Sequence, residues 1–422
     1  NTIAALAHMA RPSEFKRAFT AATCHDFFNF LTVITLLPLE LITRWATQGG
    51  GILERVSAFV ATQSMGTEGA KYKSPFKLAI KAIDLVKNSF AIDLKHALSL
   101  YPKTVESFLK RPDSFDDQTT TAFRNSGLNV IHTTVETIKD TLHDYALHNS
   151  FLADKHNSFI RVDSTDDFDR VLSNNKIGMI LGSENSDHFR SLDDIDRYYQ
   201  IGQRISQLTY NSRNLIGSGA TERSDGGLSD YGVAVVERMN KIGMAVDVSH
   251  CGDQTTLDAL ALSKSPVMIT HSVARALNPS HPRTKSDEAI RKMANSEGVM
   301  GIGFLRVFIR DREPTTIEHA LDHFDHVIKL VGIEHVAIGS DIALYGYDSL
   351  PRAYVEATKA NLKPGSYKFR EKDDIEGLNH PKRVYDLTEG LIRRGYNDSE
   401  IGLILGGNAK RTLSAAWSKV RG

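Results

Sequence analysis

From about residue 90 the chain alternates short apolar, β-branched runs with longer stretches whose apolar positions recur every three to four residues. The runs FAIDLK (90–95), LNVIHTTV (128–135), KIGMILGSE (176–184) and ISQLTYN (205–211) read as strands. MAVDVSH (244–250), PVMITHS (266–272), VMGIGFL (299–305) and HVAIGSD (335–341) continue the series. Strands buried on both faces show such unbroken apolar runs, where a half-solvated sheet would alternate apolar with polar. Between several of them lie amphipathic stretches such as LSDYGVAVVERMNKIG and TTIEHALDHFDHVIKLVG, which predict helices. Eight strands alternating with helices predict an α/β fold, a parallel (β/α)8 TIM barrel over residues 89–422. A polar, aromatic stretch after Tyr347 predicts an excursion over the rim. Two final helices, HPKRVYDLTEGLIRRG and DSEIGLILGGNAKRTLSAAW, would close the barrel.

Residues 1–88 differ in texture and predict a mainly helical segment ahead of the barrel. Residues 27–39, FFNFLTVITLLPL, form an uncharged apolar run that reaches Thr43 only by crossing Glu40. That gives about 17 residues, at the lower edge for a membrane span and interrupted by Pro38. Membrane contact through residues 27–43 and a buried helix are both open readings. The chain opens on Asn1 with no signal-peptide pattern, so the expectation is a fragment whose true start is missing.

Charge changes the picture little. With 51 basic and 51 acidic residues and a pI near 7.4, no field points to nucleic acid as a partner. Only Cys24 and Cys251 occur, which supports neither a disulfide framework nor a Cys-type zinc site. Reduced thiols make a cytoplasmic barrel the default, with the N-terminal segment open to membrane association and a homodimer left open.

Candidate chemistry sits where the strands end. Glu184, His250, His271 and Asp341 each close an apolar run, and barrel active sites stand at the C-terminal ends of strands. A lone His in such a place is more often a hydrogen-bonded structural residue, and an Asp more often caps the next helix. Four such endings in consistent order point instead to a hydrolytic metal site. One Glu and two His make a three-ligand zinc set with a position left for water, whose pKa a cation lowers towards about 7. Asp341 is placed to accept the water's proton and hand it to a leaving nitrogen.

The pieces GSEN, QLTYNSRN, GGLSDYG, VDVSHCG, VMITHS, HPRTKSDE, HVAIGSD and GGNAKR together resemble the membrane-dipeptidase (renal dipeptidase) family of barrel metallopeptidases, over about residues 90–420. The resemblance implies a zinc-dependent hydrolase of a dipeptide or similar small carboxylate-bearing amide. It implies that Glu184 bridges two zinc ions, that His250 and His271 bind the second, and that Arg283 holds the substrate's carboxylate. A guanidinium fork suits that task.

Two departures stand out. The family's first strand ends in a DGHxD-type motif whose His and Asp bind the first zinc. Here AIDLKHAL matches its leading Asp with Asp93, but sets Lys95 where the His belongs and Ala97 where the Asp belongs. His96 is one position out of register. An ammonium there repels a cation or replaces it. QLTYN puts Tyr210 where the family has a histidine that polarises the scissile carbonyl, and a phenol can still donate to an oxyanion. The expectation is therefore one zinc, with none or two as the alternatives, in a hydrolase with a degraded first-metal site. An inactive or divergent barrel acting as a binding protein is the second reading. A third comes from NTIAALAHMA, EFKRAFTAATCHDFFNFLTVITLLPLE and KSPFKLAIK, which resemble part of the sodium–phosphate cotransporter family and suggest a transporter fragment joined to the barrel. The family's paired transport motifs are absent, so that piece alone would not transport.

Overall fold

A computed structural model of the chain describes residues 42, 75–97, 117–135, 140–349 and 371–418. The apolar run at 27–43 (Ile42 apart), most of the transporter-like segment apart from the helix Pro75–Asn88, and most of the stretch after Tyr347 lie outside the described residues. Ser74–Gly422 form one compact unit. Among the described residues no helix is long and apolar enough to cross a membrane.

The strands are β1 (Ile92–Asp93), β2 (His96–Ala97), β3 (Val130–Val135), β4 (Phe159–Arg161), β5 (Ile177–Ser183) and β6 (Gln203–Gln207). They continue as β7 (Ala245–Asp247), β8 (Val267–Ser272), β9 (Val299–Ile302), β10 (Val336–Ile338) and β11 (Ile342–Ala343). Eight of them close a parallel ring in the order β1, β3, β5, β6, β7, β8, β9, β10, sealed where Asp93 pairs with Ile338. This is the expected (β/α)8 barrel, with helices such as Asp230–Ile242 and Ile317–Val331 between its strands. Three short strands have no counterpart in the sequence reading. β4 lies beside the first half of β5, and β2 pairs with β11 in a separate two-stranded sheet. Two or three residues carry too little periodicity to register.

Side chains alternate across each strand, and the lower part of the ring uses this alternation, with register shifts at Leu181/Gly182 and between Ile269 and Ser272. Met179, Val246, Ile269, Met300 and Ile338 face outwards into the core shared with the helices. Ile180, Ile205, Ala245, Met268, Val299 and Ala337 face inwards and pack with Leu413 and Trp417 of the last helix, Asn408–Trp417, which plugs the lower end. Asn408 fastens that helix by donating to the carbonyls of Ile333 (2.7 Å) and Val336 (2.9 Å). The final helical stretch is broken by a π turn at Leu403–Gly407. There Gly406 passes so close to Phe90 that a Cβ would lie 2.1 Å from its carbonyl oxygen.

Two residues further along the same inward rows, the character switches from apolar to polar. Val130 leads to His132, Ile205 to Gln207, Ala245 to Asp247 and Met268 to Thr270, all of them buried. Above this polar layer the chain leaves the ladder sooner than the apolar runs suggested, at Gln207, Asp247 and Ile338. The groups that follow are thereby freed from the alternation and can turn towards the barrel mouth.

Asp93 fastens the seam. Its Oδ1 accepts from the Ser340 amide (2.8 Å) and the Lys95 amide (3.3 Å), and its Oδ2 from the Ser340 hydroxyl (2.5 Å). Burial pushes its carboxyl up, against the opposing pull of Ser340 and of Arg383. Asp93→Ala would strand these buried donors, and the expected loss is about 3 kcal/mol of unfolding free energy. Urea denaturation reads it directly, and an unchanged midpoint would show that the seam does not depend on this carboxylate.

Candidate metal centre

Glu184 follows β5 directly, His250 lies three residues past β7, and His271 is the penultimate residue of β8. Their side chains converge. Glu184 Oε1 is 3.0 Å from His250 Nε2 and 3.2 Å from His271 Nε2, and the two Nε2 atoms are 3.0 Å apart. Among the described residues this is the group of potential ligands that lies together. Ligand atoms about 2.0–2.1 Å from a tetrahedral zinc stand roughly 3.3 Å from one another, so the triangle has the right size for that ion.

Hydrogen bonds on the far side of each ring decide which atoms point inwards. The amide oxygen of Asn211 lies 2.8 Å from His250 Nδ1, and the Thr270 hydroxyl 2.8 Å from His271 Nδ1. An amide oxygen can only accept, so the His250 proton sits on Nδ1 and its Nε2 presents a lone pair. Burial, and then the Arg283 guanidinium, hold His250 well below the ordinary imidazole value, which keeps it neutral near pH 7. Neutral imidazoles and a carboxylate are a donor set for zinc. Lone pairs and a carboxylate oxygen turned towards one point repel one another. A cation at their centre satisfies all three.

Lys95 takes the other side of Glu184. Its ammonium lies 3.2 Å from Glu184 Oε2 and 3.8 Å from Asp341 Oδ1, and donates to the Thr134 hydroxyl at 2.7 Å. The side chain is 5% exposed, a depth at which an uncompensated charge would cost several kcal/mol. Burial works against the charge on Glu184, yet the Lys95 ammonium beside it holds its carboxyl well below the usual carboxylate range. Each oxygen of this carboxylate thus has its own task. Asp93, by contrast, is bound to Ser340, and His96 packs its ring against Phe123 at 5.3 Å.

The remaining expected residues surround this centre. Asp341 sits in the left-handed region at φ +55°, and its amide donates to the Lys95 carbonyl at 2.6 Å. Burial pushes its carboxyl up, opposed by the Lys95 ammonium. Arg283 is 2% exposed, so it is no ordinary surface arginine. Its guanidinium lies over the Phe308 ring at 5.3 Å and bonds the carbonyls of Ser249 and His271, while its buried Nε has no protein partner. The Tyr210 ring is stacked on His250, with centroids 4.3 Å apart.

Asn211, Asp247, Thr134 and Thr270 escaped the sequence reading as site residues. Asp247 and Thr270 did leave a signal: each is a polar residue on the inward parity of an otherwise apolar strand. Asn211 left none, because its φ of +58° and its contact with His250 depend on how the loop after β6 folds back.

The sequence matches the family described as membrane dipeptidase (peptidase family M19) over residues 108–360, a span that takes in Glu184, Tyr210, His250, His271, Arg283 and Asp341 and leaves Lys95 outside. An uncharacterised dipeptidase of Schizosaccharomyces pombe is 34% identical over 223 residues, 51% of this chain and 52% of that protein. The chain spans about half the length of the curated relatives it matches. Among solved structures, an amidohydrolase from Pseudomonas aeruginosa superposes with a TM-score of 0.70 at 26% identity, covering 80% of this chain and 99% of that one. A metallopeptidase from Rhodobacter sphaeroides, liganded with a phosphinate mimic of the dipeptide L-Ala-D-Ala, superposes with a TM-score of 0.62 at 16% identity. That alignment covers 78% of this chain and 100% of the other and bears on the fold alone. The match does not reach residues 1–88, whose likeness to a phosphate cotransporter gains no support from it. With well over half of its residues inside the family match, the chain belongs to the membrane dipeptidase family, M19.

Proposed function

We propose that this chain is a metal-dependent hydrolase of membrane-dipeptidase type that cleaves a dipeptide or a similar small carboxylate-bearing amide with a single zinc ion. The observation that carries this reading is the division of Glu184: Oε1 faces the two histidines, and Oε2 faces an ammonium. Lys95 stands where the family's first metal would be held, and supplies one fixed positive charge in its place. A zinc ion bound by Glu184, His250 and His271 would supply Lewis-acid activation of water and of the scissile carbonyl. The other steps fall to side chains. Asp341, raised by burial, takes the proton from the attacking water on a carboxylate oxygen and returns it to the departing nitrogen. Tyr210, held against the His250 ring, offers its hydroxyl to the carbonyl oxygen as charge develops there. Arg283 takes the substrate's carboxylate, for which its unpartnered Nε is the available donor. The dipeptide mimic held by the R. sphaeroides protein supports a substrate of this size.

The second reading, a binding barrel without catalysis, is favoured by the same Lys95, since one metal position is spent on a side chain. Hydrolysis of a dipeptide panel by the zinc-loaded chain separates the two. Turnover that is lost on chelation and restored by zinc is the expected result. Zinc retained without turnover of any dipeptide or N-acyl amino acid would favour the binding barrel.

His250→Ala leaves two protein ligands of the three, so zinc should leave the protein on dialysis and turnover should fall with it. Elemental analysis checks the first and the dipeptide assay the second. Retained zinc in this variant would place the metal elsewhere. Arg283→Lys exchanges a planar fork for a point charge, and KM for a dipeptide should rise about tenfold or more. Equal KM in the variant would remove Arg283 from substrate binding.

A further inference from the structure

Beneath the ligands, Asp247 gathers four hydrogen-bond donors. The Ser249 amide (3.0 Å), the Ser249 hydroxyl (2.6 Å) and the Thr270 amide (3.0 Å) all donate to Oδ1. The Thr270 hydroxyl donates to Oδ2 at 2.6 Å. Thr270 has one hydroxyl hydrogen, and Asp247 takes it. The contact between the Thr270 oxygen and His271 Nδ1, at 2.8 Å, must then be a bond in which the ring N–H donates and the hydroxyl accepts. From this we infer that Asp247 is a positioning residue for the metal centre, acting through Thr270 to hold His271 as the Nδ1–H tautomer with its Nε2 lone pair aimed at the ligand triangle.

The inference deepens the zinc reading above and rests on it for its purpose, though not for its geometry. Asp247 touches neither imidazole. It reaches His271 through one hydroxyl, and it also ties the end of β7 to β8, the two strands that deliver the histidines. The same network seats the His271 backbone, whose amide donates to the Ser249 hydroxyl at 3.1 Å. Thr270 is itself pressed into place. Its carbonyl oxygen lies where a Cβ on Gly339 would come within 1.8 Å, so the IGSD turn needs a glycine there. The two histidines are therefore oriented by different means: His250 by the neutral Asn211 amide, His271 by a hydroxyl with a buried carboxylate behind it. Outer partners of this kind commonly change metal affinity by roughly 10–100-fold when removed.

A sharper consequence concerns Asp247→Asn. Three donors converge on Oδ1, so the amide oxygen must stay there and the new NH2 group must face Thr270. An NH2 donates, so the Thr270 hydroxyl would become the acceptor on that side and turn its hydrogen towards His271 Nδ1. The ring would then carry its proton on Nε2, in the mouth of the ligand triangle. The logic matches that of an Asp-to-Asn change behind a catalytic histidine, where geometry survives and the tautomer is wrong.

The test is the His271 tautomer in the zinc-free protein, read from long-range proton–nitrogen NMR correlations of the ring, together with zinc affinity by competition with a chelating dye. Wild type and Thr270→Ser should show Nδ1–H at His271, while Asp247→Asn and Thr270→Val should show Nε2–H. Zinc affinity should fall roughly 10–100-fold in the last two, and Thr270→Ser should stay close to wild type. A folded Asp247→Asn protein that keeps Nδ1–H, or that binds zinc like wild type, overturns the inference; Thr270→Val supplies the same readout should Asp247→Asn fail to fold. A wild type that shows Nδ1–H and binds no zinc would instead overturn the metal reading and leave the tautomer assignment standing.

Discussion

One carboxylate organises the barrel mouth. Glu184 presents one oxygen to two imidazoles and the other to a buried ammonium, and both halves are needed for the arrangement to hold. Without Lys95, the outer oxygen and Asp341 would face each other as two acids in a poorly solvated recess. Without a cation at the inner oxygen, three acceptors crowd one point. At an effective dielectric near 20, two opposite unit charges about 4 Å apart attract by roughly 4 kcal/mol, enough to make the Lys95 contact a fixed feature. A dication could reach Oε2 only by displacing that ammonium. On the single-zinc reading proposed for this chain, the side chain at position 95 sets how many metals the centre takes.

The fold makes such a centre affordable by stacking it on a graded interior. Four of the inward rows start apolar at the plugged end and turn polar one layer up, below the rim where Glu184, His250, His271 and Asp341 gather. The row Met268, Thr270 and the row Ala245, Asp247 show the sequence of events on adjacent strands. The middle layer is where orientation is decided, since its carboxylate holds the Thr270 amide and hydroxyl, and that hydroxyl meets His271 Nδ1. Parallel strands place all of these rows in the same direction, so every strand ends at the same face. Asp93 then closes the ring by holding the end of the last barrel strand to the first.

Much of this was legible in the chain. Eight apolar runs gave the barrel, and their terminal residues gave the three converging side chains, because strand order and direction alone bring such ends together. The departure at Lys95 was equally visible, as a charged residue in a place that calls for a ligand. What the sequence could not carry were contacts made by loops. The Asn211 amide reaches His250 only because its backbone adopts a positive φ, and no pattern in QLTYNSRN announces that. Arg283 was singled out by the resemblance alone, and nothing in the polar string HPRTKSDE announces that Phe308 and the carbonyls of Ser249 and His271 pack around its guanidinium. The short strands β2, β4 and β11 were missed because two or three residues have no period to detect.

The central claim is that the centre holds one metal beside one ammonium. Crystals of the chain grown with excess zinc, with anomalous data collected at the zinc absorption edge, test it most directly. The account predicts one strong peak within coordination distance of Glu184 Oε1, His250 Nε2 and His271 Nε2, with Lys95 Nζ still against Glu184 Oε2. A second zinc peak bridged by Glu184, with Lys95 swung out of the recess, would contradict it.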